Sequence, residues 1–567
     1  MSIAAKIPGK LPQQKTDWLA IPGLTSSLLL YWSFFPLSLG WLGWIALVPW
    51  LWMIQQPIRP GILYLTSWFC GLIFFIPALQ WMRVADPMMY FTWIGLALYC
   101  SLYFPLALFL LRKIQLPLFI SFPMVWVALE FLRSRFLEGF SWYLLAHTQH
   151  DCLPIIQIAD LGGSYGVSFL VGMVNGLAAE ILNGKFRQRK AAAVITLGLI
   201  VAALLYGQWR LSQGIGQAGP LCAALQGNVA QGIRNDPNQR DPASAPYIAL
   251  SDFAAASSPD LIIWPETSYP IEWHFIEEST PADKIPPEWR TITRLQKGLG
   301  EEAKKKWGTS ILLGLNSQGL GPKGMRRFNS ALLVHPDGTA SGRYDKIHRV
   351  PFGEYIPFKD WFPWLKVFSP YDFEYSISKG DGHPVLQFPQ ANSGGAQYRF
   401  GALICYEDTD PWVPLPYFSQ KDPPGFLVNL SNDGWFKGSE EHEQHLAISR
   451  FRAIECRRAL VRSVNMGISA LIDGNGKVLA PESVEMAAQL NSKIWKIQFP
   501  SQSSRSLPLR EWPEFKSCHG CLLARVPLDV RMSLYAKTGD ILPWLCWLSW
   551  ACFWFSNRRK LQHAPSH

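Results

Sequence analysis

The sequence predicts a two-part fold, a multi-pass α-helical membrane bundle followed by an α/β layered domain. Three observations point there. Apolar residues crowd the first 210 positions and the last 30 of 567, leaving a central stretch of ordinary globular composition. The apolar part divides into runs of about 20 residues, the length that crosses a hydrocarbon core. In the central part, short β-rich runs alternate with helical ones, as in layered α/β folds. With 49% hydrophobic and 17% charged residues, the chain is also too apolar for a typical soluble protein.

Seven candidate spans precede the globular part: Trp18–Phe35, Leu37–Ile54, Ile62–Met82, Tyr90–Leu111, Leu116–Leu132, Gly163–Leu182 and Ala191–Trp209. Pro36 separates the first two, with no charge nearby, so they read as a tight hairpin. A cleaved signal peptide is a poorer reading of the first run, because another apolar segment follows at once without a small-residue cleavage site. An eighth candidate, Ile541–Phe555, is short at about 22 Å and needs flanking residues or local thinning of the bilayer. The expected division is a membrane domain at 1–210, an extracytoplasmic domain at 219–540, and a final helix with a basic tail at 541–567.

The net charge of +10 is placed for a membrane and not for nucleic acid. Lys6, Lys10, Lys15, Arg59, Arg112, Lys113, Lys185, Arg187, Arg189, Lys190, Arg558, Arg559 and Lys560 fall on one side if the N-terminus is inside, whereas Arg83, Arg133 and Arg135 fall outside. No basic run with interleaved aromatics suits a nucleic-acid groove. An odd number of spans then puts residues 219–540 outside. Glu130 is the one carboxylate flagged within a span; it lies near a helix end, where it can also reach water.

The ten cysteines lack the spacing of a disulfide framework, and Cys70, Cys100, Cys546 and Cys552 lie in apolar segments as core or lipid-facing residues. Cys518 and Cys521 form a lone CxxC, a loop thiol pair or a disulfide in preference to a zinc site that would need a second pair. His147 and His150 lack a third ligand nearby; with Gln149 and the stretch Gly139–Trp142 they read as supports between the membrane region and the outer domain.

Strands are expected at Cys222–Gln226, Leu261–Trp264, Ser310–Gly314, Ala331–His335, Phe400–Ile404 and Phe426–Leu430. Several end in polar residues: Trp264-Pro-Glu266, Ile404-Cys405-Tyr406-Glu407 and Leu430-Ser-Asn-Asp433. Strand ends are where α/β folds present their chemistry. With the stretch Arg343-Tyr-Asp-Lys346-Ile-His-Arg-Val-Pro-Phe-Gly-Glu354, these segments supply a base, a cation and a nucleophile. A thiolate is the reactive form of cysteine, so a carboxylate to take its proton and a lysine to meet developing negative charge make a coherent acyl-transfer site. Taken singly each is weak, and Cys405 at the end of an apolar run reads by default as a small buried hydrophobe.

In chain order, and after this membrane region, the three segments that carry Glu266, Lys346 and Cys405 resemble the nitrilase (carbon-nitrogen hydrolase) superfamily and its membrane-bound branch, the apolipoprotein N-acyltransferases. Further matches are Gln226-Gly-Asn228, Phe328-Asn-Ser-Ala331, Ser431-Asn-Asp433-Gly-Trp435, Arg450-Phe-Arg-Ala-Ile-Glu455, Arg462-Ser-Val-Asn465 and Leu534–Asp540. The resemblance implies an α/β/β/α sandwich, with Glu266 as general base, Lys346 as electrostatic stabiliser, Cys405 as nucleophile and Glu354 as a supporting carboxylate. The backbone N–H of Tyr406 becomes a second donor to the oxyanion, while Tyr406 and Glu407 lie near the acyl pocket or hold the site by hydrogen bonds. It further implies a phospholipid acyl donor, a diacylglyceryl-cysteine apolipoprotein as acceptor, a monomer in the bacterial inner membrane with its catalytic domain on the periplasmic side, and no cofactor or metal.

Two departures stand out. Asn235 lies near a position where the family commonly has tryptophan, and Ala480–Arg531 is longer than the compact end expected, a surface insertion by default. Two other functions compete. A membrane-anchored hydrolase would use the same triad with water as acceptor, but needs only one helix. A transporter or receptor would line several spans with charge, and apart from Glu130 they contain little.

Overall fold

The computed structural model describes residues 20–234, 239–289, 291, 306–368, 375–390, 396–498 and 505–562; Asn235 lies outside the described residues. Four described helices are long and apolar enough to cross a membrane: Pro60–Ala78, Met89–Leu111, Ala159–Lys185 and Arg187–Ser212. The last is only 22% buried, and Val194, Ile195, Leu197 and Leu205 stand on its open side. A helix that apolar on its exposed face is solvated by lipid. Ala20–Ser33 and Leu118–Arg133 are shorter.

Leu37–Ile54, expected as one span, is instead a short apolar run over Gly40–Met53, 3-10 at Gly40–Trp44 and α-helical only at Val48–Met53. It is packed inside protein, with Leu47, Trp50 and Leu51 fully buried. Close packing explains the glycine at its start, since a Cβ on Gly40 would lie 2.1 Å from the Thr148 carbonyl oxygen. Backbone donors left free by the irregular helix are taken by side chains: Leu47 N–H donates to Asn175 Oδ1 and Trp50 N–H to Ser26 Oγ, both at 2.9 Å. Departure from a regular helix is tolerated in an apolar bundle only where protein supplies such partners.

The C-terminal helix runs from Ile541 to Gln562, 22 residues and so about 33 Å, although its last turns are polar and basic, so the apolar run stays short. Trp547 Nε1 donates to the Ala128 carbonyl at 2.9 Å and Trp550 Nε1 to Leu110 at 3.1 Å, tying it to Leu118–Arg133 and its neighbour. Glu130 does not reach water. It is buried and accepts hydrogen bonds from Trp126 Nε1 at 3.0 Å and Leu145 N–H at 2.6 Å, anchoring the loop that follows Leu118–Arg133.

Among the described residues, fourteen strands form two sheets: β1 (Gln217–Gln226), β2 (Leu261–Ile263), β3 (Trp273–Ile276), β4 (Ser310–Gly321), β5 (Gly324–Val334), β6 (Ala340–Asp345), β7 (Leu386–Pro389), β8 (Gln397–Ile404), β9 (Phe426–Ser431), β10 (Leu460–Val464), β11 (Ala470–Ile472), β12 (Ser483–Ala487), β13 (Ser492–Ile497) and β14 (Gly520–Leu528). The larger sheet has the order β12-β13-β14-β1-β2-β4-β5-β6, with β3 beside β4; the smaller is β11-β10-β9-β8-β7. Their inner faces share one apolar core, including Ala224, Ile263, Leu312, Leu333, Ala402, Val428 and Val461. Helix Arg240–Ala255 covers the outer face of the larger sheet through Tyr247, Leu250 and Ala254. Helix Glu441–Cys456 lies on the smaller sheet, completing a nitrilase-like α/β/β/α sandwich.

All six expected strands are present, most of them longer. Ala480–Arg531 is not a surface insertion. It supplies β12, β13 and β14, and β14 pairs antiparallel with β1 in the middle of the larger sheet. Ile494, Trp495, Ile497, Leu522 and Ala524 are buried there. Cys521 is buried in β14 and Cys518 half-buried just before it; both are free thiols.

Buried ion pairs join the α/β domain to the helical bundle. Asp160 Oδ2 receives Arg457 Nη2 at 2.6 Å and Arg210 Nε at 2.7 Å, and Arg457 Nη1 reaches Gln157 Oε1 at 2.7 Å. Glu455 accepts from Ser164 N–H at 2.7 Å and pairs with Arg452 at 2.7 Å. Asp160→Ala strands two buried guanidinium groups and is expected to destabilise the protein by about 3–5 kcal/mol. Glu485→Ala, which breaks the exposed pair with Lys496, is expected to change stability by less than about 1 kcal/mol; thermal unfolding of both variants in detergent checks the contrast.

Candidate active site

Each expected site residue follows the end of a strand: Glu266 after β2, Lys346 after β6 and Cys405 after β8. The Glu266 loop passes close over β4, where a Cβ on Gly314 would lie 2.0 Å from the Pro265 carbonyl oxygen. Only glycine leaves room for the carboxylate to be carried in at this height.

Lys346 is the hub. Its ammonium, 1% exposed, donates to Glu354 Oε1 at 2.7 Å and lies 3.6 Å from Glu266 Oε1. Glu266 is further held by Asn329 Nδ2, which donates to Oε1 at 2.7 Å, and Glu354 accepts Val350 N–H at 2.8 Å across its own turn. Burial works against the Lys346 charge, but Glu354 foremost, then Cys405 and Glu266, more than compensate and push its pKa above the ordinary lysine value. The ammonium is therefore permanent at any physiological pH. Glu266 goes the other way: burial raises its carboxyl above the ordinary range, with Glu354 adding to the rise and Lys346 and Asn329 opposing it.

Cys405 has φ 53°, a left-handed conformation that a cysteine adopts only when its surroundings impose it. It opens the 3-10 turn Cys405–Thr409, and its carbonyl accepts from Asn429 Nδ2 at 3.0 Å. Its side chain is partly exposed, and its sulfur is placed where it feels both Glu266 and Lys346. Desolvation raises the thiol well above the ordinary cysteine value, Glu266 raises it further and Lys346 lowers it. At rest the pair is a neutral thiol beside a carboxyl group that can take its proton, with a fixed cation at hand.

Glu407 does not face a pocket. Fully buried, it accepts from Ile404 N–H at 2.7 Å, Ile347 N–H at 2.7 Å, His348 N–H at 2.9 Å and Tyr344 Oη at 2.7 Å. These four bonds lash the turn bearing Cys405 to the strand end bearing Lys346. The Tyr406 ring lies parallel to Trp142, 3° apart in plane with centroids at 6.3 Å, so it packs against the loop from the helical bundle. That loop behaves as the support expected: Trp142 Nε1 donates to Gln444 Oε1 at 2.7 Å, and Ser141 Oγ bonds Asp410, which also pairs with His348.

Behind the Cys405 turn lies a cluster that sequence reading left without a role. His445 Nε2 is 2.7 Å from Asp408 Oδ1 and Nδ1 is 3.2 Å from Asp433 Oδ1, while Arg462 pairs with both carboxylates. Asp433 and Arg462 lie in stretches matched to the family, but nothing local marks Asp408 or His445 as their partners. Asp433, Glu441 and His445 bring possible ligand atoms within 4.8 Å of one another. Arg462 pairs with Asp433, and the imidazole lies against both Asp433 and Glu441, so the trio reads as part of an ion-pair cluster.

Residues 26–177 match the family model for the apolipoprotein N-acyltransferase N-terminal domain, and residues 200–487 match that for carbon-nitrogen hydrolase. The apolipoprotein N-acyltransferase of Geobacter metallireducens is 32% identical over 502 residues, 84% of this chain and 91% of that protein. That of Rhodopirellula baltica is 26% identical, covering 96% of this chain and 99% of its own. A solved amidase of the nitrilase superfamily from Nesterenkonia AN1 aligns over 46% of this chain and 86% of its own at 16% identity, with a TM-score of 0.30. With both family models matched in order and relatives of one name matched over nearly their full length, the chain belongs to the apolipoprotein N-acyltransferase family and is a membrane acyltransferase built on a carbon-nitrogen hydrolase domain.

Proposed function

We propose that the enzyme moves a fatty acyl group from a phospholipid, through a thioester on Cys405, to the N-terminal amine of a diacylglyceryl-cysteine apolipoprotein, completing lipoprotein maturation. The observation that carries this reading is the Lys346 ammonium seated between Glu354 and Glu266 beside the Cys405 thiol. In the first half, Glu266 takes the thiol proton as sulfur attacks the ester carbonyl. The oxyanion forms against the Lys346 ammonium and the Tyr406 backbone N–H, and collapse expels the lysophospholipid alkoxide, which takes the proton from Glu266. In the second half the acceptor amine attacks the thioester, Glu266 takes a proton from the amine, and the amide leaves the thiol restored. Glu354 and Glu407 act as positioning residues, the first on Lys346 and the second on the backbone of both loops.

Both substrates carry chains whose exposure to water costs about 0.8 kcal/mol per CH₂. Helices with lipid-solvated faces let them enter sideways, which favours a lipid substrate over simple hydrolysis by an anchored enzyme. Exposed Phe358, Trp361, Phe362 and Trp364 suit the same interface. We place residues 219–540 on the periplasmic side of the bacterial inner membrane, between the membrane domain at 1–210 and the anchor at 541–567, in a monomer; the one-sided distribution of Lys and Arg supports this orientation.

After incubation with phospholipid vesicles, mass spectrometry is expected to find an acyl adduct on the peptide containing Cys405, and Cys405→Ser to lose both adduct and transfer while remaining folded. Undiminished transfer by that variant excludes the covalent route. Because the Glu266 base must be ionised and burial raises its carboxyl, transfer should fall with acid at a pH above the ordinary glutamate value of about 4.3. Asn329→Ala removes a hydrogen bond that lowers this pKa, so its acid limb should shift further upward in a pH–rate profile.

A further inference from the structure

Helix Glu441–Cys456 presents His445 to two turns at once. One is the nucleophile turn Cys405–Thr409, reached through Asp408 at 2.7 Å; the other is the turn Asp433–Phe436 after β9, reached through Asp433 at 3.2 Å. All three side chains are almost wholly buried. Asp433 is close enough to Cys405 for its charge to hinder ionisation of the thiol. An imidazole bridging these carboxylates therefore does two things: it sets the distance between the turns, and when protonated it offsets the Asp433 charge.

We infer that His445 is a positioning residue of the transfer reaction, whose imidazolium, clamped between Asp408 and Asp433, holds the Cys405 turn in place and shields the thiol from the Asp433 carboxylate. This rests on Cys405 being the nucleophile. Among the described residues, the titratable and charged groups facing His445 come from four elements. Asp408 comes from the nucleophile turn, Asp433 from the next turn, Arg462 from β10, Glu441 at 3.6 Å and His442 from its own helix, and the Trp142 ring at 5.7 Å from the bundle loop. Burial and Arg462 disfavour the charged imidazole, while Asp408 and Asp433 favour it and win, raising its pKa to about 10. The imidazolium thus persists through neutral pH and is lost only as pH rises through that value. His442 is different. It donates or accepts only at the Asp433 carbonyl, 3.0 Å away, and burial first of all lowers its pKa to about 4, so it is neutral and supplies no shielding charge.

The test reads the thiol directly. Full-length protein in detergent is treated with iodoacetamide across a pH series, and alkylation is quantified on the peptide containing Cys405. His445→Gln keeps an amide able to bond Asp408 but removes the charge; its alkylation midpoint is expected to move up by about one pH unit or more. Single-turnover thioester formation near neutral pH should slow about tenfold, the loss shrinking as pH is raised. Asp433→Asn should move the midpoint the opposite way, a signature that general loosening of the site does not produce, and it carries the test by itself if His445→Gln does not fold. An unshifted midpoint in a folded variant overturns the proposal, as does about one equivalent of bound divalent metal in the wild-type protein, which would replace the imidazolium as the source of positive charge. The nucleophile assignment fails separately, and takes this proposal with it, if Cys405→Ser transfers acyl groups undiminished.

Discussion

Helix Glu441–Cys456 has no face toward solvent: all 16 of its residues are buried. On one side Leu446, Ala447 and Ala453 pack against the smaller sheet, and on the other Ile448, Phe451 and Ile454 belong to the core of the helical bundle. A helix in that position has to find counter-charges inside protein for the charges it carries, since an unpaired buried charge is strongly destabilising. Its polar residues consequently become the connections of the molecule. Glu455 and Arg452 reach Ser164 in the bundle, Gln444 receives Trp142 and Tyr143, and His445 and Ser449 reach Asp408 in the turn of Cys405. The same constraint therefore docks the catalytic domain on the membrane part and braces the turn that carries Cys405.

The electrostatics of the site follow from where each charge is allowed to persist. Lys346 keeps its charge because two carboxylates surround it, whereas Cys405 and Glu266 are both pushed toward their neutral forms by burial. A fixed cation beside two groups that readily hold a proton is suited to a reaction in which negative charge appears on a carbonyl oxygen and disappears again twice per turnover. Glu407 is as buried as any of them, but its four hydrogen bonds are spent on backbone amides and a tyrosine. A carboxylate so fully engaged has nothing left with which to move a proton.

Much of this was legible in sequence. The division into apolar helices and a layered domain follows from run length and alternation, six strands were visible as short apolar stretches ending in polar residues, and Glu266, Lys346, Cys405 and Glu354 lay in segments distinctive enough to be singled out. Elsewhere local pattern misled. Ser492–Ile497 lacks a clean polar–apolar alternation and is separated from Gly520–Leu528 by a Ser- and Pro-containing stretch, so both strands read as parts of a surface insertion. Leu37–Ile54 is apolar enough for a span, but its glycines and Pro49 prevent a regular helix, and only neighbours such as Asn175 and Ser26 make the irregular backbone tolerable.

Hydrophobic periodicity and short motifs act over a few residues, and what they specify is local: which segments prefer lipid, which form strands, and which reactive groups stand at strand ends. Pairings between distant buried charges are decided otherwise. His445 meets Asp408 across 37 positions and Arg457 meets Asp160 across 297, and no property of either residue alone indicates its partner. Those meetings exist because the sandwich and the bundle close on a common helix, removing water and leaving each charge only the counter-charges that folding has brought within reach.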